Sequence, residues 1–204
     1  MFPKISALVL AAGSARRMKI PKLFMDFGGY PLISWCLRSI QKVPFEDRVL
    51  VVGDKYQDAI FTLSLLKEAS GVDIIINQNF SQGMSTSLKA GISVVNKNSQ
   101  AILLLLADMP FISVEIMHTI INTFAQSQKE DSIIVPVYKG RQGHPVLIPC
   151  CYFQEIERIE GDKGAKEILQ RHKEKVCLVE SPGPEIIFDI DTKEEWQKWK
   201  NLLF

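Results

Sequence analysis

Residues 8–22 read LVLAAGSARRMKIPK. An apolar strand passes through two alanines and Gly13, then meets Arg16, Arg17, Lys19 and Lys22 in one short loop. Cations so close repel one another, and an anion seated among them relieves that repulsion. In a parallel sheet, loops at the carboxyl ends of strands are where turn N–H groups and helix N-termini collect anionic ligands. Whether the chain builds such a sheet therefore decides what this loop is for.

Working outward from the loop, short apolar runs recur: SALVL (6–10), RVLVV (48–52), VDIII (72–76), AILLLL (101–106) and SIIVPV (132–137). Near-continuous apolarity over about five residues, ~17 Å of strand, fits strands covered on both faces, the habit of parallel sheets. Helical spacing fills the intervals over Leu32–Val43, Tyr56–Ala69, Met84–Val95 and Val114–Ala125, with Asp54 and Ser113 placed as N-caps. The β-α-β-α alternation predicts a doubly wound, mostly parallel, Rossmann-like α/β sheet.

The order changes after Tyr138. YKGRQGHPVLIP (138–149) reads as a turn between strands, a small antiparallel excursion beside the parallel sheet. A helical stretch over Cys151–Ile159 follows, then EGDKGAKEILQRH (160–172) as a turn opening a helix, KVCLVE and EIIFDID as late strands, and TKEEWQKWKNLLF as a closing helix. Thr192 and Glu195 stand at capping-box spacing. No repeat or long linker interrupts the 204 residues, which read as one domain.

Composition narrows the partners. With 24 Lys plus Arg against 23 Asp plus Glu, nothing draws the whole chain to nucleic acid or an anionic membrane, so any anion site is local. MFPKISALVLAAGSA imitates a secretory leader only loosely, and no run reaches the ~18 apolar residues of a membrane helix. The four cysteines form no C-x-x-C pair, which suits a reduced, cytoplasmic setting.

Several residues stand where chemistry would be done. Gly13 allows close backbone approach to a bound group, and Arg17 and Lys22 offer charge-assisted bonds to phosphate. The patterns G-x-x-x-x-G-K-[ST] and G-x-G-x-x-G are both absent, which disfavours a kinase-like P-loop and a Rossmann dehydrogenase. AILLLLADMP places Asp108 just past a buried strand, where it either caps a turn or bridges Mg2+ to nucleotide phosphates. In FDID, strand periodicity would put Asp189 and Asp191 on one face, a pair that a nearby cation would reconcile. Gly83 precedes a helix start whose N–H groups suit a nucleoside, while Ser85 and Ser87 read equally as first-turn residues or as contacts. His144 reads either as a backbone-bonded hairpin residue or as a contact.

LAAGSARRMKIPK resembles the signature loop L-A-A-G-x-S-x-R-M-G-x-x-K of a nucleotidyltransferase family, the molybdenum cofactor cytidylyltransferases and their MobA-like relatives. QGMSTSLKAGI, LLLLADMPFI, RQGHPVLIP, GDKGAK and DIDTKEEW resemble further blocks of that family in the family's order. Ala15 and Lys19 depart from the pattern's Ser and Gly. The resemblance implies a nucleotidyltransferase fold, with a nucleotide-binding part over about 1–112 and an acceptor-binding part over about 113–204. It implies transfer of CMP from CTP to molybdopterin with release of pyrophosphate, CTP being preferred over GTP because Ser14 is closer to the cytidylyl branch. Nucleotide contacts fall on Leu10, Ala11, Ala12, Gly13, Lys22, Gly83, Ser85 and Ser87, and catalytic roles on Arg17, Lys22 and Asp108. Mg2+ falls to Asp108 and Asp191, with Asp189 beside them, and the acceptor to Gln142 and His144. A molybdenum hydroxylase is the implied transient partner. Two other readings stay open: a sugar or polyol phosphate acceptor, and a carrier or maturation protein without turnover.

Overall fold

The computed structural model describes residues 2–12, 22–54, 66–127, 129–190, 192 and 194–197. Each apolar run forms a strand: β1 (Ile5–Leu10), then the hairpin β2 (Asp26–Phe27) and β3 (Tyr30–Pro31), β4 (Arg48–Gly53), β5 (Asp73–Asn77), β6 (Ala101–Leu106) and β7 (Ile133–Tyr138). β8 (Arg141–Gln142), β9 (Val146–Pro149) and β10 (Val176–Glu180) follow. The main sheet runs β10-β7-β9-β6-β1-β4-β5, with β8 paired to β7. β1 lies parallel between β4 and β6, in a register that sets Leu10 beside Leu106 and Val51. Their carboxyl ends are therefore level, and the chain leaving β1 and that leaving β6 enter the same space.

Helices α1 (Leu32–Gln41), α2 (Met84–Ile92), α3 (Val114–Gln126), α4 (Phe153–Ile156) and α5 (Lys166–Arg171) cover both faces. Leu32, Ile33, Leu37 and Ile40 of α1, with Met117, Ile120 and Ile121 of α3, pack on Ala7 and Val9 of β1 and Leu103 and Leu105 of β6. Leu88 and Ile92 of α2, Ile156 of α4 and Ile168 of α5 pack on the alternate residues Leu8, Val49, Val51, Ile102 and Leu104. Because both pleats of the central strands meet a helix layer, every second residue cannot be polar, and the runs read as continuous. The doubly wound, mostly parallel sheet expected from the alternation is thus present. β5 differs: it is an edge strand, and Ile76 remains 43% exposed.

The antiparallel excursion is also present and more elaborate than one turn. Lys139 and Gly140 turn β7 into β8, and β9 then inserts between β6 and β7, antiparallel to both. Ser113 caps α3 by accepting from the Ile116 N–H at 3.2 Å. Thr192 and Glu195 form the expected capping box, each side chain accepting from the other's backbone N–H, and residues 194–197 are helical.

Over the described residues 185–190 the strand expected for EIIFDID does not form. Pro184–Ile187 make a 3-10 turn, and Asp189 is not in a strand. This segment is tied to two separate elements rather than laddered to one: Ile186 O accepts from the His144 N–H at 2.8 Å, and the Ile190 N–H donates to Asp108 O at 3.1 Å. Strand periodicity therefore gives Asp189 no shared face with Asp191, which lies outside the described residues. The Cys151–Ile159 helix shortens to a 3-10 turn and α4. Of the helix expected over Tyr56–Ala69, only residues 66–69 are described, and Lys67–Ala69 are a 3-10 turn. Among the described residues no helix is long and apolar enough to cross a membrane.

Candidate functional site

At the carboxyl ends of β1 and β6 lies a cavity of about 340 Å³. Leu10, Ala11 and Ala12 supply one side as the chain leaves β1, and Leu106, Ala107 and Asp108 supply the next as it leaves β6. The ladder continues briefly past the strands, since the Ala11 N–H donates to Val51 O at 2.8 Å and the Ala107 N–H to Leu10 O at 3.0 Å. The two exits are thereby held side by side.

Lys22 enters from the 3-10 turn Lys22–Phe24, and its ammonium donates to Asp108 Oδ2 at 2.8 Å. The side chains are 11% and 24% exposed, so this pair is partly shielded from water and its attraction is stronger than at the surface. Two residues chosen from separate motifs therefore meet in one wall. Behind them lies Cys36 of α1, whose thiol is pushed up to about 12, first by burial and then by the negative charge of Asp108.

The opposite wall comes from the 3-10 turn Phe80–Gln82 and the start of α2, through Phe80, Ser81, Gly83, Met84 and Ser87. Asn77 fixes this start from the end of β5: its amide donates to Thr86 Oγ1 at 2.8 Å and Ser87 Oγ at 2.9 Å, and its carbonyl accepts from the Asn79 N–H at 2.9 Å. Gly83 adopts φ +118°, and a Cβ there would stand 2.4 Å from the carbonyl carbon of Gly161. The close approach that Gly83 permits is thus taken by the backbone of the 161–164 loop. From that loop Asp162 reaches the cavity, its Oδ1 accepting from the Met84 N–H at 3.2 Å.

Of the residues singled out in the sequence, Leu10, Ala11, Ala12, Lys22, Gly83, Ser87 and Asp108 line this cavity together. Ser85 is buried at 1% exposure and is not part of its wall. Gly13, Arg17 and Asp191 lie outside the described residues, as do Ser14, Ala15 and Lys19. Asp189 is exposed, next to the Ile190 N–H that donates to Asp108 O. Gln142 is exposed on β8 and lines a separate depression of about 360 Å³ with Lys166, Gln170 and Lys173. His144 lies behind the cavity, with Nδ1 3.5 Å from Leu104 O, and burial pushes its imidazole below the ordinary histidine range. Asn77, Phe80 and Asp162 complete the picture. Asn77 stands at the end of an apolar run, where a polar residue leaves a strand for a site, and that position is the signal that could have marked it.

Among the described residues no three His, Cys, Asp or Glu side chains gather into a ready-made metal cage. Asp108 nevertheless offers a hard carboxylate oxygen on the cavity wall, and Mg2+ is ordinarily held by one or two carboxylates with waters and phosphates completing the shell. The residues present fit that mode. A cation at one end with a carboxylate beside it, and opposite them an aromatic and glycine wall that carries no cation among its described residues, can accommodate a ligand that is anionic at one end and flat at the other.

Residues 7–176 match the family model of the MobA-like NTP transferase domain. Molybdenum cofactor cytidylyltransferase from Escherichia coli is 26% identical over 94% of this chain and 93% of its own length. Nicotine blue oxidoreductase from Paenarthrobacter nicotinovorans is 25% identical over 95% of each. Among solved structures, a Mycobacterium tuberculosis protein superposes with a TM-score of 0.85 at 23% identity, covering 98% of this chain and 99% of that one. The manganese complex of that protein superposes at 0.81, 22% identical over 97% of this chain and 98% of the other.

Proposed function

This chain belongs to the MobA-like NTP transferase domain family and is a nucleotidyltransferase, and from that premise we propose that it moves CMP from CTP onto the phosphate of molybdopterin, releasing pyrophosphate. The observation that carries the reading is the Lys22–Asp108 pair, 2.8 Å apart on the cavity wall at the level ends of β1 and β6. A phosphate monoester is already a nucleophile near neutral pH, so the task of the protein is to bring two anions together and to offset charge on the leaving group. Lys22 does this by turning its ammonium from Asp108 to the triphosphate. Asp108 so released, and Asp191 with Asp189 beside it, would hold a divalent ion. The metal supplies neutralisation of phosphate charge when bound. An oxygen of the acceptor phosphate forms a bond to the α-phosphorus as the bond from that phosphorus to the bridging oxygen breaks, and pyrophosphate leaves with the electron pair. Arg17 joins Lys22 on the phosphates.

In this reading about residues 1–112 hold the nucleotide and about 113–204 the acceptor, with Gln142 and His144 on the acceptor side and the 161–164 loop reaching back to the nucleotide cavity. The product passes to a molybdenum hydroxylase in the cytoplasm. Pyrophosphate release with CTP, Mg2+ and molybdopterin, set against GTP, Mn2+ and sugar or polyol phosphates, tests each part. Release only with a sugar or polyol phosphate replaces the acceptor, and tight CTP binding with no release replaces the enzyme by a carrier. Asp108→Asn should raise the metal concentration needed for half-maximal turnover by about tenfold or more, because one charged ligand becomes neutral. An unchanged metal titration removes Asp108 from the metal site.

A further inference from the structure

The mechanism above leaves the 161–164 loop without a part, although Asp162 belongs to the cavity wall. Of the described residues in that wall only Lys22 is cationic, and it stands with Asp108 at the strand ends. The N-terminus of α2, a nine-residue helix, would ordinarily attract a phosphate. Here its first N–H is already taken by Asp162 Oδ1, and the carboxylate adds a negative charge at the spot. A phosphate placed there would be repelled. Asp162 Oδ2 has no hydrogen-bond or ion-pair partner among the described residues, and the neighbouring Lys163 pairs instead with Glu167 at 3.4 Å. On the same wall Phe80 presents an aromatic ring, set closely over Gly53.

The loop that carries this carboxylate is held by shape. A side chain on Gly83 would meet Gly161 carbonyl atoms at 2.4 and 2.6 Å, and one on Gly164 would meet the Met84 sulfur at 2.7 Å. Loop backbone and helix start are thereby fitted closely to each other, and the exposed Asp162 side chain is tethered at one oxygen by the Met84 N–H while the other faces outward from that bond.

We propose that Asp162 is the residue that reads the nucleoside: Oδ2 accepts a hydrogen bond from an uncharged donor on the sugar or the base, while the carboxylate charge keeps the triphosphate at the Lys22 end. The cavity thereby acquires a direction. This rests on the nucleotidyltransferase reading and adds a specificity-determining residue to it. Sites built to hydrogen-bond a substrate group reject analogues lacking it, because their own polar atom is left unpaired.

The test is the binding of CTP, 2′-deoxyCTP, 3′-deoxyCTP, UTP and inorganic tripolyphosphate, each with Mg2+, to the wild-type chain, Asp162→Asn and Lys22→Ala. Asp162→Asn keeps an oxygen to accept from the Met84 N–H and puts a donor where Oδ2 stood. It should bind CTP roughly 10- to 100-fold more weakly and tripolyphosphate as tightly as the wild type or more so. One analogue should bind the wild type as weakly as CTP binds the variant and lose nothing further: a deoxy analogue if the donor is a sugar hydroxyl, UTP if it is the base amino group. Unchanged CTP affinity, parallel loss of CTP and tripolyphosphate, or equal sensitivity of CTP and all three nucleoside analogues to the substitution overturns the assignment. The underlying reading fails separately, if Lys22→Ala binds tripolyphosphate as tightly as the wild type.

Discussion

The two walls of the cavity are held together by different physics. The wall at the ends of β1 and β6 is an electrostatic construction, in which residues 86 apart in sequence neutralise each other across a part-buried gap. The wall at the start of α2 is a steric one, in which Gly83 at φ +118° and the Gly161 backbone fit only because a Cβ is missing. A charged wall tolerates displacement and exchanges partners when a polyanion and a metal arrive. A steric wall does neither, and so is the better ruler for the shape of a base. In the proposed function, reactivity and selectivity fall to opposite sides of one cavity.

The largest test of this contrast is Lys22→Ala, which should lower turnover by about 10²- to 10³-fold, the usual cost of one donor aimed at developing charge. It should also lower the melting temperature, because Asp108 is left part-buried without its ammonium. Retention of near-normal turnover would break the electrostatic wall. Next comes Gly83→Ala, whose Cβ forces the 161–164 loop away. We expect roughly tenfold or greater loss of nucleotide affinity and about 1–3 kcal/mol of stability, whereas Gly161→Ala, with open space around its Cβ, should cost only about 1 kcal/mol of backbone strain. Equal effects of the two substitutions would contradict a steric wall.

A smaller effect belongs to His144. Its imidazole is held below the ordinary histidine range in the folded state, chiefly by burial, so the unfolded chain binds the proton more readily. The stabilisation is complete above about pH 6.5 and is lost as pH falls through the folded value. His144→Gln should flatten the fall in melting temperature below pH 6.5 that the wild type shows, and an unaltered slope would place the titration elsewhere. The smallest is Ser113→Ala, about 1 kcal/mol of stability from a lost N-cap outside the cavity lining, with turnover unchanged.

The charged wall was legible in sequence and the steric one only in part. Lys22 and Asp108 each follow a buried strand and belong to a recognisable block, and the level register of β1 and β6 brings them together. Gly83 stood out as a glycine at a helix start, but nothing in its neighbours says that Gly161 will occupy the space, since that contact depends on how α2 and a distant loop dock. EIIFDID misled for a related reason: its alternation of apolar and acidic residues imitates a strand, yet Pro184 opens a 3-10 turn and the backbone bonds go to His144 and Asp108. Gln142 and His144 share a block but not a location, because β8 turns outward on β7 while His144 lies against Leu104.

The bond from the Ile190 N–H to Asp108 O, and the packing of Trp196 on Phe27 with ring centroids 5.2 Å apart, have a consequence for how the protein is made. A ribosome has already extruded the whole sheet when these residues emerge, so the nascent chain can acquire its fold before the backbone behind Asp108 is braced. A polypeptide truncated near residue 185 would then keep every strand of the sheet yet lack the segment that braces Asp108.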